Sequence, residues 1–423
     1  MIAAAVALVA FAALSGEARA GWTPVLDVSG SSPRSAYEVR VAPVPKGSLA
    51  VWTRWTGGEG RIQARMIGRN GSLGSVRTLS ASGLDACFPK LVVAADGSAM
   101  VGWWVDGSNP MVQGRRIRAN GTLGPILTVG GSKADRFDLA LGADGAATFV
   151  WVRAEAMYAV KARRIEPDNS MGPVHDLAGE RLDAWSPAVA VGPDGVATAV
   201  WERLADDGQD DLVESRRIDP AGALGPVTRL GTGRLSIDPP QVAVALDGAV
   251  TVVWTTSGGA LRARRVAADG SAGPLLLLSG GTSSRLGPNL AVAPNGVSTV
   301  VWGRAGGGRT LVEARRIGVT SSLGPVRVLA RDAGAGAWPD VAIGAQGAAV
   351  VAWPLGVHTV MARRLRADGT LSTTRRFNAR GRVDEPQVAL RRDGTTAVLW
   401  TSQRPSMTSG ARYVIEGSVQ QAG

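Results

Sequence analysis

Cysteine is nearly absent from this chain: Cys87 stands alone among 423 residues. No internal disulfide can form, so nothing oxidative staples the fold. Histidine is almost as scarce, with His175 and His358 the whole supply. A catalytic thiol needs a nearby base, so Cys87 reads as a small apolar residue beside Phe88. Only four of the 46 basic residues are lysines (Lys46, Lys90, Lys133 and Lys161), an arginine bias that a GC-rich genome produces on its own. Beyond residue 20 no run is long and apolar enough for a transmembrane helix. No segment carries a sustained helical period, which removes the helical fold classes.

What is present begins with "MIAAAVALVAFAALSGEARA". The 13 apolar residues Ile2 to Leu14 precede a small-residue site, Ala18-Arg19-Ala20. Residues 1–20 therefore read as a secretory signal peptide cleaved after Ala20, with a retained membrane anchor as the other reading. The run is short of the roughly 20 residues that span a bilayer. The expected location is secreted, periplasmic or cell-surface. Net charge is +11, and the opposite charges of Glu17 and Arg19 leave it unchanged on cleavage. A basic balance favours anionic surfaces. Export and the lack of a groove-reading motif argue against nucleic acid.

The chain repeats itself. A tryptophan ends an apolar run at positions 52, 103, 151, 201, 254, 302, 353 and 400, with spacings of 51, 48, 50, 53, 48, 51 and 47. Six residues before each, from the second unit on, stands a turn glycine: Gly97, Gly145, Gly195, Gly248, Gly296, Gly347 and Gly394. The first unit has Gly47 instead. Five of these glycines follow aspartate, and Asp-Gly between apolar runs predicts a type I′ hairpin. A second turn follows in each unit, as at Asn70-Gly71, Asn120-Gly121, Asp269-Gly270 and Asp368-Gly369. Each unit is thus four antiparallel strands, A to D, and about 50 residues of this kind make one β-propeller blade. The eighth unit lacks the Gly-Pro strand D, and "GWTPVLDVSG" (21–30) supplies a spare. The expectation is an all-β, eight-bladed ring over residues 21–423, closed by that N-terminal strand. A seven-bladed ring with one irregular unit is the rival.

This pattern resembles the repeat-built β-propellers of secreted bacterial proteins, broadly the WD40-like and sialidase-like superfamilies. The likeness implies a fold rather than a function. The sialidase Asp-box, Ser-x-Asp-x-Gly-x-Thr-Trp, is missing, and Tyr37, Tyr158 and Tyr413 are all the tyrosines available for such machinery.

An Ala-Arg-Arg triplet recurs as well. Its first arginine falls at Arg65, Arg115, Arg163, Arg216, Arg264, Arg315, Arg363 and Arg412, each after a small residue. Counting from the turns places Trp and Arg at one height on adjacent strands. The sequence therefore predicts a packing pair in every blade, an arginine over an indole contributing about 0.5–2 kcal/mol. Burying each indole contributes roughly 4–6 kcal/mol at 25 cal/mol per Å². The second arginine (Arg116, Arg164, Arg217, Arg265, Arg316 and Arg364, with Met66 and Tyr413 as exceptions) points to the opposite face, nearer solvent.

Function is sought in the loops that differ between units. The B–C and D–A connections share one face and carry Arg34, Trp55, Trp104, Arg136, Arg181, Arg234, Arg285, Arg331 and Arg382, the candidate ligand-binding residues. Trp185 and Trp338 sit just before strand A, where an apolar plug is expected. The acidic loop "ERLADDGQDDLVE" (202–214) is read as a solvated tip rather than a calcium site, its spacing not matching an EF-hand. Gly306-Gly307-Gly308 is a flexible loop with no helix to cradle a phosphate. No metal, cofactor or catalytic residue is assigned. The expected function is a monomeric, non-catalytic module that binds a cell-surface glycan, an anionic polymer or a protein. The alternative is a propeller-type polysaccharide lyase or glycoside hydrolase.

Overall fold

The computed structural model describes residues 21–154, 157–179, 183–205, 211–232, 239–256, 258–280, 285–306, 309–334, 337–406 and 410–421. The signal-peptide segment, Arg181, Arg234, Asp206, Asp207, Asp210, Gly307 and Gly308 lie outside the described residues. The described strands form eight four-stranded antiparallel sheets. Blades 1 to 7 span residues 36–78, 85–130, 134–176, 184–232, 241–279, 285–330 and 340–378. Blade 8 joins Arg382–Leu390, Thr396–Ser406 and Gly410–Val419 to the N-terminal Leu26–Asp27. Each strand A packs against strand A of both neighbours, so these strands line the axis and the ring is closed.

The N-terminal strand supplies strand D of blade 8, as the sequence predicts. Thr23 N donates to Val419 O at 2.9 Å and Val28 N to Ile415 O at 2.8 Å, and Trp22 bridges Gln420.

The core lies between blades. Strand B is buried on both faces, which is why it is written as a continuous apolar run. All eight repeat tryptophans are 0–3% exposed. Trp201, for example, joins Val150 and Ala162 of blade 3 to Val189 and Ala199 of its own blade. Eight such clusters stand at the eight junctions.

The A–B turns differ from the predicted type I′. Only their glycines have positive φ, as at Gly97 (88°) and Gly195 (79°). Gly97 N donates to Ala94 O, Ala94 N to Ser98 O, and the Asp96 carboxylate accepts the Ser98 N–H at 2.8 Å. This is a three-residue loop, a type I turn with glycine in the left-handed position, in which aspartate acts through its side chain.

The arginines also differ from expectation. Trp302 lies opposite Glu313, whereas Arg315 lies opposite Val300 two residues along the strand. The guanidinium therefore never reaches the indole, and the cation–π contact among the described residues is Arg375 over Phe377. Instead each first arginine is a fork. Arg315 Nε donates to Gly324 O in its own C–D turn (2.7 Å) and Nη1 to Leu278 O on strand D of the preceding blade (2.8 Å). Arg65, Arg115, Arg163, Arg216, Arg264 and Arg363 repeat the pattern, reaching Val28, Leu79, Val129, Leu177, Leu230 and Leu329. Blade 8 departs from it. Trp400 lies opposite Glu416, so the equivalent position is Ser418, and Arg412 sits six residues away. Ser418 Oγ donates to Thr23 O at 2.8 Å, a short link suited to a strand from the same blade.

In blades 2, 5, 6 and 7 the second arginine reaches forward rather than out to solvent, whereas Arg164 pairs with Asp144 and Glu166 of its own blade. Arg116 donates to Gly145 O and Glu166 O, Arg265 to Gly296 O, and Arg364 to Gly394 O, all in the turns of the following blade. Arg116 and Arg265 are only 4% and 6% exposed. Side chains of adjacent strand residues point to opposite faces, so Arg-Arg clasps the blade behind and the blade ahead.

Candidate functional site

The turn face is thus occupied by structural arginines, and the loop face is where the blades diverge. At the loop-face end of strand A a bulge recurs, with register shifts at Tyr37/Arg40, Cys87/Lys90, Asp135/Phe137, Trp185/Ala188, Leu286/Asn289 and Asp384/Gln387. Within each bulge one residue has positive φ: Glu38, Phe88, Arg136, Ser186, Gly287 and Glu385. Held conformations of this kind cost about 1–3 kcal/mol each for non-glycine residues and concentrate at functional sites. These positions hold glutamate twice and phenylalanine, arginine, serine and glycine once each.

Between blades 3 and 4 the loop face opens into a cavity of about 570 Å³. Its floor is Glu202, on strand B of blade 4 one residue past Trp201 and opposite Trp185. Glu202 is 1% exposed, and its Oε1 has no hydrogen-bond partner. Burial pushes its carboxyl up to about 8, hydrogen bonds from Ser186 and Trp185 oppose the shift, and the Asp211 charge adds to it. At neutral pH the group is a neutral acid able to donate. Val152, Leu204 and Trp185 form the walls, with Tyr158 and Arg136 exposed at the opening. Asp135 and Asp183 stand there too, accepting the backbone N–H groups of Arg136 (2.7 Å) and Tyr158 (3.0 Å). A proton donor, three carboxylates, a guanidinium and two aromatic side chains therefore face one space.

Of the candidate residues whose side chains are described, Arg136 lines this cavity. Arg34 is exposed before blade 1, where its carbonyl accepts Arg54 Nη1 at 2.6 Å. Trp55 ends strand B of blade 1, and Trp104 is half-buried with its indole N–H on Ala134 O. Arg331 and Arg382 are exposed in and after the loop from blade 6 and at the start of blade 8. Arg285 opens strand A of blade 6, its side chain outside the described residues. The structure does not gather these into one site. Trp185 is a cavity wall, whereas Trp338 is 48% exposed beside Gly287.

Sequence reasoning missed Glu202, although the signal was present. The residue after the repeat tryptophan is Thr53, Trp104, Val152, Thr255, Gly303, Pro354 or Thr401 in the other blades, and an acid here alone. Cys87 is half-buried, its thiol pushed up to about 12 by burial and then by Glu38, Asp85 and Asp106. Such a thiol stays protonated and is no nucleophile. Among the described residues no cluster of metal-ligating side chains is found, and no helix is long and apolar enough to cross a membrane.

No protein-family model matches the chain, and no curated protein does. Solved structures similar to it include an ulvan lyase of polysaccharide lyase family PL25, at 9% identity and a TM-score of 0.51, covering 78% of this chain and 93% of that one. An oligogalacturonate lyase in complex with manganese aligns at 11% identity and a TM-score of 0.50, over 95% and 98% of the two chains. An α-L-arabinofuranosidase from Fusarium graminearum covers 68% and 93%, at 11% identity and a TM-score of 0.43. At these identities the likeness is one of fold, and the chain is an all-β, eight-bladed β-propeller.

Proposed function

We propose that this protein is an exported glycan-binding propeller whose sugar site is the cavity between blades 3 and 4. The observation that carries the reading is Glu202, a neutral acid with one unpartnered oxygen under an open cavity. Sugars present hydroxyls for such a group and C–H faces for aromatic rings, here Tyr158 and Trp185. Arg136 at the opening suits a uronate carboxylate. The two lyases of similar fold are an ulvan lyase and an oligogalacturonate lyase, which is compatible with a glycan ligand.

A second reading is favoured by the same carboxyls. A hydrolase uses one protonated and one ionised carboxyl across the scissile bond, and Glu202 with Asp135, Asp183 or Asp211 offers that division. Calorimetric titration with neutral and uronate oligosaccharides tests both. Binding is expected to survive in Glu202→Gln, to weaken at least tenfold in Glu202→Ala, and to weaken in the native protein above pH 8. Equal binding by Glu202→Ala refutes the site. Release of new sugar ends by the native protein, lost in Glu202→Gln while binding persists, establishes the catalytic reading.

A further inference from the structure

The forward-reaching arginine is missing at the junction of blades 1 and 2, where its place is taken by Met66. At the junction of blades 3 and 4, which Arg164 lines while paired with Asp144 and Glu166 of its own blade, the turn-face space is about 20 Å³. At the junction of blades 1 and 2 it is about 320 Å³. The floor is apolar, made by Leu49, Ala64, Met66, Leu79 and Ile117.

Two residues lining this cavity, Gly97 and Arg118, hold the positions whose carbonyls take the guanidinium elsewhere. Arg116 donates to Gly145 O (2.8 Å) and Glu166 O (3.1 Å), and Arg316 to Gly347 O (2.9 Å) and Arg366 O (2.7 Å). Gly97 closes the A–B turn of blade 2 as Gly145 closes that of blade 3, and Arg118 opens its C–D turn as Glu166 does. Among the described residues no side chain donates to either carbonyl. Asp96 is the one carboxylate lining the space.

Four cationic side chains already line the space, Lys46, Arg65, Arg77 and Arg118; Lys46 is exposed to solvent and Arg118 turns to Thr122 Oγ1 at 3.5 Å. Arg65 is committed to Gly74 O and Val28 O, and Arg77 to Gly121 O. Arg163 likewise stands beside Arg164 at the filled junction. We propose that this cavity binds an alkylguanidinium group from another molecule, either a free small molecule or the arginine side chain of a peptide. The ligand occupies the seat that the chain's own second arginine fills in other blades. A planar fork of N–H donors facing two carbonyls makes the site selective for guanidinium over ammonium.

Thermal shift and calorimetry on the full chain test this with n-propylguanidinium, N-acetyl-arginine amide, n-propylammonium and laurate. The guanidinium is expected to bind at least tenfold more tightly than the ammonium and to raise Tm. Binding of the amide as well identifies a peptide source, and its failure a free small molecule. Met66→Arg is expected to abolish binding and to raise Tm without ligand, because its own side chain takes the seat. Met66→Leu is expected to keep binding, and Asp96→Asn to weaken it several-fold. Equal guanidinium binding by Met66→Arg, no preference over ammonium, or laurate binding without guanidinium binding each overturns the proposal.

Discussion

If the first arginine of each triplet holds neighbouring blades together, removing one fork costs a calculable amount. Arg315 joins Gly324 O at 2.7 Å in its own blade to Leu278 O at 2.8 Å in the blade behind. Hydrogen bonds from a charged group contribute about 1.5–3 kcal/mol when buried, and this guanidinium is half-buried, so about 1–1.5 kcal/mol each is appropriate. Arg315→Ala should therefore cost about 2–3 kcal/mol. At about 2 cal/mol/K per residue, a chain of this size loses about 2–3 °C in Tm. Arg315→Lys keeps the charge but reaches one carbonyl, so about half the loss should return. Arg412→Ala is the control: it removes the same charge, yet that arginine lies off the repeat register and donates to Ser32 O at 3.1 Å. It is half-buried as Arg315 is, so with this bond lost its cost should be about 1–1.5 kcal/mol, about half that of Arg315→Ala. Urea and thermal unfolding of the three variants measure this. Equal losses for Arg315→Ala and Arg412→Ala would refute the fork and reduce the repeated arginine to a charge effect.

Two further outcomes are expected. Glu416, 0% exposed, accepts from Trp400 Nε1 (3.0 Å) and Arg404 Nε (3.0 Å), so Glu416→Ala leaves the buried indole N–H unpaired and the half-buried Arg404 with only its 3.4 Å contact to Asp27. It should destabilise by about 3 kcal/mol in denaturant unfolding, and a change under 1 kcal/mol would contradict the pairing. Glu202 and Asp340 are raised by burial to about 8 and about 6. An acid whose folded value is raised holds a proton that the unfolded chain gives up above about pH 4.3. Stability tied to Glu202 is thus complete below that pH and lost as pH rises through about 8. Unfolding midpoints from pH 5 to 9 should fall less steeply for Glu202→Gln than for the native chain, and parallel curves would exclude a buried neutral acid.

The architecture was legible because the repeat states it eight times. One tryptophan, one turn glycine and one missing terminal strand define blade number and ring closure without any tertiary information. Side-chain partners were harder to read. Counting residues from the turns misses a two-residue offset, because the C–D turn and its bulge absorb chain unevenly. That offset moved Arg315 from Trp302 to a pair of backbone carbonyls. The eighth triplet, Ala411-Arg412-Tyr413, matched in letters and not in register. The candidate site was hidden for a related reason. Loop charges such as Arg331 and Arg382 stand out in sequence but are scattered over separate blades. Glu202 looks like one acid among several near 202–214 until strand pairing puts it beneath Ser186 and Trp185.

The shared blade also fixes the order in which the chain can be completed. Thr23 and Ser418 meet across 395 residues, a separation whose closure entropy is about 5 kcal/mol. Blades 1 to 7 draw on contiguous sequence and can assemble as the chain emerges. The last blade waits until its oldest and newest segments are both present. A nascent chain therefore carries an unsatisfied strand and an open edge until Gly410–Val419 has emerged, which keeps it short of its most stable state until the eighth blade can be assembled.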